Sequence, residues 1–385
     1  MLRKIRIALL LASVGLFAGF AAHYLKNSSE WSWSRAPKTI TVPEGGVRSD
    51  AFSLRLLQLH TDDRQPSIVA PALMSNMLLM LADCTTGETR KDIEALRLYT
   101  GQTEHTAAPD MGVLIAAELG LPYSEKAADY PIMRLPFRHN LPDALMMFNL
   151  TLRQITNSGQ PVVSGDTLTA DTNLAIGLAL SFDVRLEQPF YANHNKEQLF
   201  YYADGTSALM PMMRQRAELR YASAADGAWE AVALMLKPTH RREAESLALI
   251  AISPATRAAA FARNMSTEQF SAIREALATA VPRDCAVTMP ILQSCVSRSW
   301  TEQLNQLGLQ RLTDITSRDW CFTSRRIGLG VLAEQYVVRM TQPHHTDQQP
   351  NLDNAAHAVV LDNPFIWAIC DLTEPTPPYL MGIYQ

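Results

Sequence analysis

The sequence has no excess of charge of either sign. Its 34 Lys and Arg residues stand against 38 Asp and Glu residues, which gives a net charge of −4 over 385 residues. Proteins that bind nucleic acid carry a basic surface for the phosphates, so nothing in this composition indicates nucleic acid as a partner. Hydrophobic residues make up 47% of the chain, enough for a large globular core.

The sequence also lacks the short motifs that mark common catalytic and cofactor sites. It contains no G-x-S-x-G, P-loop, H-E-x-x-H or G-x-G-x-x-G pattern. Ser, His and Asp residues are plentiful, but their spacing indicates no catalytic constellation. We therefore expect no enzymatic activity and no cofactor.

Cysteine is scarce and forms no metal-binding or disulfide pattern. The five cysteines are odd in number and show no C-x-x-C spacing. Cys285 and Cys295 flank an apolar run that, if extended, separates them by about 30 Å, too far for a disulfide. We expect mostly free thiols, with one disulfide as the alternative. The adjacent His344 and His345, with His357 nearby, lack helical spacing or Cys/Asp company, so no metal site is predicted.

The N-terminus has the pattern of a secretory leader. Arg3, Lys4 and Arg6 precede an uncharged apolar run over residues 7–25, which is also about long enough to span a bilayer. We predict a signal peptide or, alternatively, an uncleaved type II membrane anchor over residues 1–25. Either places the rest of the chain in the secretory lumen or outside the cell. A polar segment rich in Pro and Gly follows and is predicted to be a linker over 26–47.

Three N-x-[ST] sequons, at Asn27, Asn149 and Asn264, agree with a secretory route. Asn264 lies just before a helix start, where Ser266 and Gln269 have capping-box spacing. We therefore predict a glycan at Asn264, with Asn149 and Asn27 as further candidates.

From residue 48 onward, helical patterns come first and strand patterns follow. Apolar periodicity predicts helices at 49–60, 72–82, 85–98, 112–119 and 142–155. Residues 172–186 read as a central strand, and most of the later chain as further strands and turns. This order, without βαβ alternation, predicts an α+β fold.

These elements, in this order, resemble the serpin family over about residues 50–385. "TTGETRKDIEALRL", "VTMPILQ" and "LNQLGLQRL" are similar to stretches that occur in the same order in that family. "LEQPF" is similar to its W-x-x-P-F motif with Leu186 in place of tryptophan, and "MPMM" is similar to V-P-M-M. The ending "DNPFIWAICD…PPYLMGIYQ" is similar to the terminal strand pair. The resemblance implies a single serpin-like domain over 48–385. Its α+β fold, of the class called multidomain, would have a large central mixed sheet, two smaller sheets and surrounding helices.

The resemblance assigns residues 342–362 to the reactive-centre loop. In an inhibitory serpin a protease cleaves this loop, whose first part then inserts as a new central strand while the protease is trapped as an acyl-enzyme. The family's register places the scissile bond at Ala358-Val359. It places the loop hinge, defined here as residues 342–345, at Gln342, Pro343, His344 and His345.

The hinge departs from the pattern that insertion requires. Inhibitory serpins carry glutamate, glycine, threonine and then small residues, whereas this chain has "QPHHTDQQPN". Pro343 and Pro350 cannot donate to a sheet ladder, and each buried unsatisfied polar group would cost about 1–3 kcal/mol. We predict a paired strand over 336–340, a stop near Gln342, and an exposed loop to about Val359.

The positions beneath the sheet depart from the family as well. Ala70 and Leu73 stand where the family has serines, Leu178 where it has asparagine and Glu334 where it has histidine. We expect a more apolar contact there that holds the sheet closed.

The sequence therefore predicts a non-inhibitory serpin-fold glycoprotein, secreted or membrane-anchored, that acts by binding. Its partner would be a protein or peptide, with a serine protease among the candidates, or a small apolar ligand. The alternative is a serine protease inhibitor cleaved at Ala358-Val359, where a small residue would suit an elastase-like pocket.

Overall fold

A computed structural model of the chain describes residues 46–61, 67–100, 111–122, 132–238, 246–344, 351–352 and 354–385. The predicted leader, nearly all of the linker, the sequon at Asn27, His345 and Pro350 lie outside the described residues. Within the described residues, no helix is long and apolar enough to cross a bilayer.

Six α-helices lie in the described part of the chain. They are α1 Gly46–His60, α2 Pro71–Cys84, α3 Gly87–Thr100, α4 Leu141–Thr156, α5 Ala258–Asn264 and α6 Thr267–Thr279. Helix α2 starts with Pro71 in its first turn and is buried along almost its whole length, as its apolar sequence predicts. Ser266 caps α6 by accepting a hydrogen bond from Gln269 N at 3.2 Å, as the capping-box spacing predicts.

Fourteen strands accompany these helices within the described ranges. They are β1 Ser67–Val69, β2 Met111–Glu118, β3 Ile132–Leu135, β4 Leu174–Val184, β5 Lys196–Tyr201, β6 Ser207–Ser223, β7 Trp229–Met235, β8 Leu247–Pro254, β9 Arg283–Pro290, β10 Gln293–Ser299, β11 Val331–Met340, β12 His357–Val360, β13 Phe365–Asp371 and β14 Leu380–Tyr384. The helix predicted over 112–119 is wrong, because that segment is β2. Seven of the eight residues of β2 are buried, and a short apolar run buried on both faces carries no period that separates strand from helix.

The central sheet has the order β10-β11-β4-β2-β3. It is mixed, since β11 runs parallel to β4 and β2 parallel to β3, while the other pairs are antiparallel. Helix α4 packs closely against it at two glycines. A Cβ on Gly177 of β4 would lie 2.5 Å from Leu152 Cδ1, and a Cβ on Gly112 of β2 would lie 2.5 Å from Ile155 Cδ1. The missing side chains therefore let the helix lie directly on the sheet.

The remaining strands form two further sheets that share the long strand β6. Its C-terminal end pairs with β7 in the series β1-β14-β13-β8-β7-β6, whereas its other residues pair with β5 and β9. Strand β12 pairs with β9 and is the edge strand of the sheet that contains β5, β6 and β9. The antiparallel pair β13 and β14 forms the predicted terminal hairpin. The predicted α+β architecture with a mixed central sheet is confirmed.

Candidate functional site at the loop after the central sheet

The central sheet pairing stops where the sequence predicts. Strand β11 ends at Met340, and the last backbone bond to the sheet runs from Thr341 N to Val184 O at 3.0 Å. Pro343 lies two residues further on and has no N–H to continue the ladder. Pro343 and His344 are both exposed. The chain therefore leaves the sheet at the hinge.

Strands β4 and β11 are direct neighbours along their whole shared length. Ten residues pair in register, from Val331 with Ala175 to Met340 with Val184. We call this line of pairing the β4–β11 junction. Because the two strands are paired directly with each other, no strand is inserted between them, as predicted.

The hinge is tied to the segment that follows β4. The side-chain amides of Gln342 and Asn195 exchange two hydrogen bonds, at 3.1 and 3.2 Å. The carbonyl oxygen of Pro343 accepts from Ala192 N at 2.9 Å. Both residues assigned to the start of the hinge are thus held on the protein surface beside the end of the junction.

The end of the loop is part of a strand that the sequence does not predict. Strand β12 begins at His357, in parallel register with β9, and the side chain of Val359 is only 1% exposed. Ala358 is exposed and Val359 is the first buried residue, so the exposed stretch ends where the sequence predicts. The pairing with the distant strand β9 was not predicted, since it leaves no mark in the local sequence. The proposed scissile bond Ala358-Val359 lies inside β12, so cleavage there would require β12 to leave β9.

Arg216 of β6 fixes the described end of the loop to strands β6 and β9. Its guanidinium donates two hydrogen bonds to Asp284, at 2.6 and 2.7 Å, and further bonds to the carbonyls of Asn351 and Asn354. The ion pair with Arg216 lowers the pKa of the Asp284 carboxyl. The loop is therefore attached on both sides, at the hinge and near β12.

The histidine that begins β12 also has a defined contact. The ring of His357 stacks on Tyr221, with centroids 4.3 Å apart, and the Tyr221 hydroxyl donates to Glu230 at 3.3 Å. Burial raises the pKa of the Glu230 carboxyl, which Tyr221 and His357 partly offset. The described residues hold no cluster of His, Cys, Asp and Glu that could bind a metal ion.

The contact beneath the sheet is only partly apolar. Ala70, Leu73 and Leu178 are buried hydrophobic residues, as expected. Glu334, however, is fully buried, accepts from Arg298, and accepts from the Tyr336 hydroxyl at 2.6 Å. The expectation of a more apolar contact therefore holds at three positions, whereas Glu334 adds a buried polar network that was not expected.

This buried network joins three strands. Arg298 of β10 lies opposite Glu334 of β11 and also donates to the carbonyl of Ile68 in β1. Burial raises the pKa of Glu334, although Arg298 and Tyr336 lower it in part. Burial and the nearby Arg298 lower the pKa of His60 to about 3, so its imidazole is neutral at physiological pH.

Two polar side chains of β11 connect the junction to α4. Arg339 donates to Ser181 Oγ across the junction at 2.9 Å and to the carbonyls of Thr156 and Asn157 at the end of α4. Gln335 accepts from the Thr156 hydroxyl at 2.5 Å. A cation is well placed at a helix C-terminus, so these bonds hold α4 over the closed junction.

The bonds of Glu334 with Tyr336 and Arg298 were not predicted from the sequence. Glu334 and Tyr336 are two residues apart and so lie on one face of β11, a signal available from the sequence. Their partner Arg298 comes from β10, and its register opposite Glu334 is fixed only by the fold.

The two sequons in described residues have different surroundings. Asn149 is 8% exposed, and its side chain bonds to Val162 and Val163, with Nδ2 donating to Val163 O at 2.9 Å. A glycan needs open solvent around this nitrogen, so the buried Asn149 does not fit a glycosylated site in the folded protein. Asn264 is exposed and is compatible with a glycan.

Comparison with known proteins agrees with the fold. A model of the family described as "Serpin (serine protease inhibitor)" matches residues 123–382. The chain belongs to the serpin family. A search by sequence among curated proteins found no match.

Solved serpin structures are similar to this chain over most of its length. The serine protease inhibitor serpin-12 of Manduca sexta has 15% identity and a TM-score of 0.71, covering 87% of this chain and 97% of its own. Maspin has 13% identity and a TM-score of 0.74, covering 88% and 97%. Uncleaved ovalbumin has 13% identity and a TM-score of 0.73, covering 88% and 98%. At these identities the likeness shows the fold alone.

Proposed function

We propose that this chain is a non-inhibitory serpin that acts by binding a protein or peptide partner through its exposed loop. The observation that carries the proposal is the hinge. Pro343 stands where an inserting loop needs a ladder donor, and its carbonyl, together with the side chain of Gln342, is bonded to residues 192–195. These bonds hold the start of the hinge outside the sheet, which supports a loop that stays available to a partner.

Inserting the loop would require several bonds to break. The hinge would lose its bonds to Ala192 and Asn195, and Arg339 would lose its bond to Ser181 across the β4–β11 junction. The new strand would lack the Pro343 and Pro350 donors. Each buried polar group left without a partner would cost about 1–3 kcal/mol. These costs oppose the free energy that a new strand in the central sheet would release.

We expect no denaturant-stable complex with an elastase-like serine protease, and little change in melting temperature after the loop is cleaved. An inserted strand would stabilise the sheet, whereas a cleaved loop that stays outside adds no contacts. Limited proteolysis, followed by a denaturing gel and a thermal melt of the cleaved protein, measures both results.

Mass spectrometry of the cleaved protein places the cut. Cleavage within 344–356 without a complex agrees with the proposal. A covalent complex, or a large rise in melting temperature on cleavage, would instead establish the inhibitor alternative. A cut at Ala358-Val359 would also show that β12 opens, against its pairing with β9.

We further propose that the folded domain faces the secretory lumen or the exterior. Expression of the full chain in a secretory cell, followed by glycosidase treatment, should show one glycan-dependent mobility shift from the two sequons in the described chain. Asn264→Gln should abolish that shift and Asn149→Gln should leave it intact, with Asn27→Gln present in both variants. Protein without any shift, or recovered only from the cytosol, would contradict the proposal.

A further inference from the structure

The end of α2 meets the segment before β11 at a short antiparallel bridge. Thr85 pairs with Trp320, and the backbone N–H of Cys321 donates to the carbonyl of Cys84 at 2.9 Å. In this register Cys84 and Cys321 lie opposite each other, although they are far apart in the sequence.

Their placement fits the geometry of a disulfide. Opposed, hydrogen-bonded residues of an antiparallel pair have Cα atoms about 5.5 Å apart, within the range of about 4.4–6.8 Å that a disulfide spans. The other three cysteines belong to different strands: Cys285 to β9, Cys295 to β10 and Cys370 to β13. All five cysteines are in described residues, and none is in a disulfide in this structure.

The two thiols differ in access to solvent. Cys84 is fully buried, whereas Cys321 is half-buried. Burial raises the pKa of the Cys84 thiol, and the neighbouring Asp83 and Cys321 raise it further. Cys321 is therefore the thiol that a soluble oxidant would reach first.

We propose that Cys84 and Cys321 are a disulfide-forming pair, oxidised by a small-molecule disulfide such as oxidised glutathione. The Cys321 thiolate attacks one sulfur of the oxidant, and the first glutathione thiolate leaves. Cys84 then loses its proton and attacks Cys321 Sγ, which expels the second glutathione. One disulfide bond is consumed and one is formed, and two glutathione thiols are released.

The cross-link would act on the closed sheet. Helix α2 packs against β2 and β4, while the segment beginning at Cys321 leads into β11. A bond between them joins elements on both sides of the β4–β11 junction. It also closes a long loop in the unfolded chain, which destabilises the unfolded state relative to the folded one.

The purified full chain, equilibrated in a glutathione buffer and alkylated in denaturant without reductant, provides the test. Peptide mass mapping should show Cys84 joined to Cys321 and the other three cysteines alkylated. Adding reductant should lower the melting temperature by several degrees. These measurements on the unchanged protein do not depend on any variant folding correctly.

Two variants separate this bond from other thiol chemistry. Cys321→Ser should leave four alkylated cysteines and a melting temperature that reductant does not change. Cys295→Ser, which removes an exposed thiol, should keep both the bridge and the shift on reduction. Five alkylated cysteines in the oxidised wild-type protein, or a bridge between other cysteines, would overturn the proposal.

Discussion

Arg298→Met should lower the free energy of unfolding by about 3–5 kcal/mol, because it leaves one member of a buried ion pair without its partner. Glu334 is fully buried and the Arg298 side chain is 21% exposed. Arg298 also donates to the Ile68 carbonyl, so the same change leaves a backbone acceptor in β1 unsatisfied. Urea titration of the variant against the unchanged protein measures the loss.

Two further variants decide whether the loss comes from the unpaired charge. Arg298→Met combined with Glu334→Leu should recover much of the stability, since replacing a whole buried pair with apolar residues is often neutral. Arg311→Met, which breaks the more exposed pair with Asp92, should cost no more than about 1 kcal/mol. Equal losses in all three variants would refute this account.

The Arg298→Met deficit should also depend on pH. Burial raises the pKa of Glu334, and removing Arg298 takes away a cause that lowers it. The folded variant then holds the Glu334 proton to higher pH than the unfolded chain does, in which the pKa of this group is about 4.3. Since the folded state binds more protons, the free energy of unfolding should rise as pH falls from 7 toward 5. A deficit that stays constant over this range would contradict an unpaired carboxylate.

Gly382→Ala should cost about 3 kcal/mol, at the upper end of the usual range for overpacking. A Cβ at this position would lie 2.3 Å from the backbone oxygen of Ser67 and 3.0 Å from the Trp367 ring. Gly382 pairs with Ile68 on one side and with Trp367 on the other. Because both neighbours are strands of the same sheet, the backbone has no free direction in which to move.

Thermal melts and urea midpoints of Gly382→Ala, beside Gly159→Ala, measure this effect. Gly159 is exposed, and a Cβ there would have no atom within 4 Å, so its substitution should change stability little. A loss at Gly159 equal to that at Gly382 would assign the effect to glycine flexibility instead of to the close approach in β14.

Several elements could be predicted from the sequence because their signals are local. The buried helix α2, the cap of α6 at Ser266 and the end of sheet pairing near Gln342 depend on residues next to one another in the chain. Proline has no N–H, and a capping hydroxyl reaches only the next turn. Such features keep their meaning without knowledge of the fold.

Other features could not be predicted because they depend on contacts between distant segments. Strand β2 carries the same apolar run that a buried helix would carry, and only its place between β3 and β4 makes it a strand. Strand β12 forms only because β9 lies beside it, and its residues are 72 positions away from their partners along the chain. The side chain of Asn149 is buried against the backbone of residues 162 and 163, and the N-x-[ST] triplet carries no information on this contact.

The sequence by itself determined the α+β class, the resemblance to serpins and a reactive-centre loop whose prolines oppose a central strand. Periodicity and proline chemistry act over a few residues, so they survive in the sequence alone. The tertiary structure decided that Arg298 pairs with Glu334, that Arg339 ties the junction to α4, and that Cys84 faces Cys321. Each of these pairs joins residues at least 36 positions apart along the chain, and only strand register and helix packing bring them within bonding distance.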